Sequence, residues 1–262
     1  MIEFTSVQGH RIEFERIGHG DPVMVFLHEG LGSISMWRDF PEKCARACGS
    51  SALVYSRYGY GQSDPLKDAR RPDYMHEEAL TTLPELLGKL GIEQPILFGH
   101  SDGASIALLY AAAYPVRAVV VLAPHVFVEE VAIEGIRAIR RQYETNALRE
   151  KMARYHKDPD SAFYGWNDIW LEPAFRRWSI EDVLARIESP ILVVQGFEDE
   201  YGTMEQVDRI ARQAPHVQTR KLEKCGHSPQ RDRPQAVIGA AVDFLAGIDT
   251  PNGRETPTSS KH

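Results

Sequence analysis

At 262 residues with a formal charge of −7, the chain is long enough to bury one large core, and its acidic balance excludes nucleic acid or an anionic membrane as main partner, because phosphate binding needs clustered Lys and Arg. Apolar residues at 43% and charged residues at 26% exclude a disordered or fibrous chain, and no stretch approaches the ~20 consecutive apolar residues that span a bilayer. The odd set of Cys44, Cys48 and Cys225 is no secreted disulfide framework, the N-terminus lacks a signal-peptide core, and the expected location is the cytoplasm.

In chain order, IEFT at 2–5 and RIEFERI at 11–17 alternate apolar with polar residues and predict an antiparallel hairpin, turning through Val7 to His10, at a sheet edge. After the turn residues Gly18 to Asp21 come five continuous apolar runs: VMVFL at 23–27, ALVY at 52–55, PILFG at 95–99, AVVVLA at 118–123 and PILVVQG at 190–196. Runs of this kind are strands buried on both faces of a parallel sheet. Helical patterning falls between them, at Trp37 to Ala47, His76 to Leu90, Ser101 to Ala113, Met204 to Gln213 and Gln235 to Leu245. Strands alternating with helices predict an α/β fold with a mostly parallel, doubly wound sheet.

One connection is far longer than the usual ~2 to 6 residues. Residues 125–189 contain the helical patterns EEVAIEGIRAIRRQYE and EDVLARIE, and the aromatics Phe163, Tyr164, Trp166, Trp170, Phe175 and Trp178. The expectation is a helical lid inserted into a core of 1–124 and 190–248, over a pocket at the carboxyl ends of the strands. Its aromatics either build the insertion's own core or line that pocket. Residues 249–262, rich in Pro, Ser, Thr and Gly, read as a mobile tail.

The chemistry is concentrated at PILFGHSDGA, where a strand enters Gly99-His100-Ser101-Asp102-Gly103 and continues into the helix ASIALLYAAA. This is G-x-S-x-G in the strand-turn-helix setting that holds a nucleophilic serine in a strained turn, with small residues on either side so that strand and helix pack closely. Ser101 would stand near the positive end of the following helix. A serine hydroxyl needs a base to take its proton. His227, in KLEKCGHSPQRDRP after the strand-like VQTRKL, lies in a loop at the same edge of the sheet. His28 precedes the nucleophile, and His100 adjoins it on the elbow, where its side chain is expected to point away. The base in turn needs a carboxylate. PILVVQG is followed by Phe197-Glu198-Asp199-Glu200; Asp199 completes the order Ser, Asp, His, with Glu198 and Glu200 as rivals one residue away.

Over nearly its whole length, through LHEG, YGYGQSD, GHSDG, QGFED and GHSPQRDRP, the chain resembles the α/β hydrolase superfamily, in particular lid-bearing bacterial serine esterases and meta-cleavage product hydrolases. The resemblance implies an α/β hydrolase fold and selects Asp199, because the family's acid stands three residues after the glycine ending the preceding strand. It also implies an oxyanion hole made by the backbone N–H groups of Gly30 and Asp102. The chain departs from the family at Glu29 and at Asp102, where glycine and an aromatic or Met are common. Ser56 and Tyr58 replace the usual Asp and Arg before the Gly-x-Gly turn. Two acids beside an oxyanion site disfavour an anionic substrate group.

Rival motifs fail. His28-Glu29 is not completed to H-E-x-x-H, because Gly32 stands at the last position, and Gly59-Tyr60-Gly61 lacks the third glycine of a dinucleotide loop. No metal or organic cofactor is implied. The expected partner is a small-molecule substrate, with homo-oligomerisation left open and Glu29, His125 and Trp166 as candidate substrate contacts. The expected activity is cleavage of an ester, thioester or lactone through an acyl-enzyme. The alternatives are C–C bond hydrolysis of the meta-cleavage type and a slow-turnover ligand receptor on the same fold.

Overall fold

The computed structural model describes residues 1–145 and 147–249. A hairpin of β1 (Ile2–Val7) and β2 (His10–Ile17) opens the chain, followed by β3 (Val23–Leu27), α1 (Phe40–Ala47) and β4 (Ser51–Tyr55). Next come α2 (Tyr74–Glu77), a π-helical turn over Glu78–Thr82, α3 (Leu83–Leu90), β5 (Ile96–His100), α4 (Asp102–Ala111) and β6 (Ala118–Leu122). Four helices then intervene: α5 (Glu130–Glu144), α6 (Ala147–Met152), α7 (Pro159–Leu171) and α8 (Glu181–Leu184). The chain closes through β7 (Ile191–Gly196), α9 (Glu205–Gln213), β8 (Val217–Leu222), α10 (Pro229–Asp232) and α11 (Pro234–Asp249).

The eight strands form one sheet in the order β1-β2-β4-β3-β5-β6-β7-β8. Both pairings made by β2, with β1 and with β4, are antiparallel, and every later pairing is parallel. The hairpin therefore occupies one edge, as its alternating pattern predicts. The other edge, β8, carries Arg220 and Lys221, charged residues of the kind that discourage pairing with another sheet.

Alternate residues of each strand feed two separate cores. Val25, Leu27, Leu97, Val119 and Val121 pack under α2, α3 and α4. Met24, Phe26, Phe98, Val120 and Val194 pack under α1 and α11. Burying a side chain of this size contributes about 1.5 to 3 kcal/mol, so the two apolar layers hold the carboxyl ends of β3, β5, β6 and β7 at one rim. The thiols are free, with Cys44 and Cys225 buried.

The connection between β6 and β7 is helical, and its aromatics divide between two apolar clusters. Phe163 joins Tyr60, Tyr143 and Met152 in a small cluster of its own, stacked on Tyr143 at 3.7 Å. Trp166, Trp170, Phe175 and Trp178 instead join the main core. The aromatic run of α7 begins at Pro159 behind Asp158, whose side chain accepts the Ser161 amide at 2.9 Å and caps the helix, a contribution of about 1 kcal/mol. Several bounds differ from expectation. The helix expected from Trp37 starts at Phe40, because Arg38 takes φ 55° after a short 3₁₀ turn, Ile34–Trp37. EDVLARIE is helical only over Glu181–Leu184. The last helix runs to Asp249, into the segment read as tail; 250–262 lie outside the described residues.

Candidate active site

Ser101 sits between β5 and α4 with φ 53° and ψ −119°, a backbone conformation that costs about 1 to 3 kcal/mol for a residue with a side chain. Hydrogen bonds hold it there: its N–H donates to Leu122 O at 2.9 Å, and its carbonyl accepts from Ala104 N at 2.8 Å. The flanking glycines make room. A Cβ on Gly99 would strike the Gly103 and Ala104 backbone, and one on Gly103 would strike the Leu27 backbone.

His227, in the loop before α10, brings Nε2 to 2.9 Å from Ser101 Oγ. Its Nδ1 lies 2.8 Å from Asp199 Oδ1. The hydroxyl donates to Nε2 and the Nδ1–H donates to the carboxylate, the arrangement needed for a base that is oriented from behind. Asp199 Oδ1 is itself fixed by the amides of Tyr201 and Gly202, at 2.8 and 3.1 Å. Of its rivals, Glu200 accepts the His227 amide at 3.1 Å. Burial works against a charged His227, yet the hydrogen bond and charge of Asp199, followed by the charges of Glu200 and Glu29, leave its pKa above the ordinary 6.5. Burial likewise opposes ionisation of Asp199, and the His227 hydrogen bond and charge prevail, so that its pKa lies below the usual 3.8.

A cavity of about 180 Å³ opens over Ser101, and Glu29, Gly30, Asp102, His125, Trp166 and His227 all border it. Ala132 and Ile136 of α5 and Trp170 of α7 also line it. Gly30 lies against the Trp166 indole, which any Cβ at position 30 would strike. Among the described residues, the backbone N–H groups of Gly30 and Asp102 make no hydrogen bond, which leaves both free for a ligand oxygen.

The two acids at the cavity behave differently. The Asp102 carboxylate turns inward, accepting from Tyr74 Oη at 2.6 Å with Arg57 Nη2 at 3.8 Å. The Glu29 carboxylate stays part-exposed, 3.4 Å from His100 Nδ1. Burial pushes its pKa up, but the hydrogen bond and charge of His100 outweigh this and bring it to about 2. His125, 3% exposed, has an Nδ1 with no hydrogen-bond partner; burial and then the nearby His227 lower its pKa to about 3. His100 turns from the cavity and ties down the loop that carries His227, donating from Nε2 to His227 O at 2.7 Å.

Trp170, one of the insertion's aromatics, borders the cavity together with Tyr201 and Met36, which no motif in the sequence marks, and Arg57 lies behind it. YSRYGYG offers Arg57 as an ordinary loop cation. It is 1% exposed, with its guanidinium against the Glu29 carbonyl, the Asp102 carboxylate and the Tyr60 ring. The missing Asp at position 56 is replaced from another strand: Glu13 of β2 accepts the Ser56 hydroxyl at 2.5 Å and the Gln62 amide at 2.9 Å. Among the described residues no helix is long and apolar enough to cross a membrane, and no group of three or more His, Cys, Asp or Glu could hold a metal ion.

The 2-hydroxy-6-oxo-6-phenylhexa-2,4-dienoate hydrolase of Burkholderia cepacia is 22% identical to this chain over 94% of each protein. A thermophilic esterase from Thermogutta terrifontis shares the fold at a TM-score of 0.76 and 19% identity, over 95% of this chain and 100% of its own. The enol-lactonase of Burkholderia xenovorans shares it at 0.74 and 17%, over 93% and 100%. The family model described as the alpha/beta hydrolase family matches residues 24–240, and the chain belongs to that family.

Proposed function

We propose that the chain is a serine hydrolase that cleaves a small, uncharged ester, thioester or lactone with a short apolar acyl part. The carrying observation is the His227 imidazole, 2.9 Å from Ser101 Oγ and 2.8 Å from Asp199 Oδ1. Ser101 attacks the carbonyl, His227 takes its proton and returns it to the leaving group, and water activated by the same imidazole releases the acid. The Gly30 and Asp102 amides stabilise the tetrahedral oxyanion, a contribution of about 3 to 4 kcal/mol per donor. Residues 125–189 act as a lid whose α5 and α7 shape the acyl site, with Trp166 and His125 against the substrate.

Size and charge favour this substrate class. A cavity of about 180 Å³ is little larger than the ~150 Å³ that holds a benzene. Its charged wall is Glu29, since the Asp102 carboxylate turns inward, and among the described residues no Lys or Arg borders it. A dienoate like that in the name of the Burkholderia cepacia relative would bring a carboxylate with no cation to meet it, so the C–C reading is the weaker one. The test is pre-steady-state hydrolysis of nitrophenyl acetate and butyrate beside a phenyl-substituted oxo-dienoate. A nitrophenol burst lost in Ser101→Ala supports the esterase. Faster turnover of the dienoate than of either ester overturns it in favour of C–C cleavage, and failure of a fluorophosphonate to label Ser101 overturns it in favour of a receptor.

A further inference from the structure

Arg57 is a full positive charge buried just behind the oxyanion loop. Its Nη2 donates to Glu29 O at 2.9 Å and approaches His28 O at 3.4 Å. Its own amide donates to His28 Nε2 at 3.0 Å, and the His28 Nδ1–H donates to the same Glu29 carbonyl at 2.7 Å. Glu29 C=O and Gly30 N–H are the two ends of one peptide unit. With the Gly32 amide at 3.1 Å, three donors grip the carbonyl end, two of them side chains; together they fix the direction of the N–H end, and hydrogen bonds at C=O strengthen the N–H as a donor.

The same guanidinium faces the other half of the hole. Asp102, which carries the second amide, has Oδ2 at 3.8 Å from Arg57 Nη2. That oxygen is held by Tyr74 Oη at 2.6 Å, and Tyr74 accepts from Trp170 Nε1 at 3.0 Å. Arg57 thus has one nitrogen shared between the peptide of the first donor and the side chain of the second. We propose that Arg57 is a positioning residue that aligns the Gly30 and Asp102 amides into one oxyanion hole, without itself touching substrate. This inference rests on the acyl-enzyme reading of Ser101.

The test compares wild type, Arg57→Lys and Arg57→Met on nitrophenyl butyrate, with sites counted by fluorophosphonate titration. A trifluoromethyl ketone carrying the same acyl chain serves as a probe, since its adduct with Ser101 places a negative oxygen in the hole. Expected are a fall in kcat of about ten- to a hundredfold for Met, less than loss of a whole donor, and partial retention by Lys. KM should stay within about twofold, with a ketone Ki that rises in step with the loss of kcat/KM and an unchanged acid limb of the pH profile. A merely structural role would raise KM and leave the ketone's preference over substrate intact, and either that result or an unchanged kcat overturns the inference. Should both variants fail to fold, Tyr74→Phe deletes one oxygen from the same network; it is expected to lower kcat and ketone affinity together, and no change in either overturns the inference. If wild type itself shows no Ser101-dependent turnover, the hydrolase reading falls and takes this one with it. If wild type turns over through Ser101 and the Arg57 variants match it, this one falls alone.

Discussion

His227 Nδ1 lies 2.8 Å from Asp199 Oδ1, and the same oxygen accepts two backbone amides. The carboxylate is thereby anchored before it orients the ring. Asp199→Asn keeps the size but offers the imidazole the wrong partner, so kcat is expected to fall about 10³- to 10⁴-fold with little change in KM. Glu198→Gln is expected to leave both parameters near wild type, and steady-state kinetics on nitrophenyl butyrate check the pair.

The pH profile follows from His227. The ring accepts the Ser101 proton only when neutral, and its pKa lies above 6.5 despite burial, through Asp199 first and then Glu200 and Glu29. Hence kcat/KM is expected to be flat at high pH and to fall about tenfold per pH unit below a midpoint above that of free imidazole. Glu200→Gln removes one negative neighbour and should move the midpoint to lower pH. A move to higher pH would refute the assignment.

Charge selection at the cavity falls to Glu29. With its pKa at about 2, it is ionised throughout the working range. Like charges about 4 to 8 Å apart cost on the order of 2 to 4 kcal/mol at an effective dielectric of about 20. Glu29→Gln is therefore expected to raise kcat/KM for a nitrophenyl hemisuccinate about tenfold or more, relative to nitrophenyl butyrate. Paired rate measurements on the two esters read this directly.

Buried neutral histidines make the fold acid-sensitive. His125 has its pKa lowered to about 3 by burial and then by His227, and His28 is lowered by burial and then by Arg57. Between pH 6.5 and 5 the unfolded chain binds protons that these rings refuse. Stability should therefore drop as pH falls, by about 1.4 kcal/mol per pH unit for each ring. Urea unfolding across this window should show His125→Gln losing one such share of the slope.

The strands and the elbow were legible because both are local patterns. VMVFL and its fellows announce burial on two faces, and Gly99-His100-Ser101-Asp102-Gly103 states its own turn. His227 and Asp199 were legible through chain order and the position of Gly196. Other features arise from contacts between segments far apart. Glu13 standing in for an acid at position 56, Arg57 reaching the Glu29 carbonyl, and α7 dividing its aromatics between two cores depend on how the loops pack. No period or spacing in one sequence encodes them. The helix bounds shifted where a single residue, Arg38, left the helical region.

The central claim is a covalent bond between substrate and Ser101. Intact-mass analysis of His227→Ala, in which deacylation is slowed, after brief exposure to nitrophenyl butyrate should show one added butyryl group, with peptide mapping placing it on Ser101. Ester turnover by the wild-type protein that survives in Ser101→Ala, or an acyl group mapped to another residue, would contradict the account.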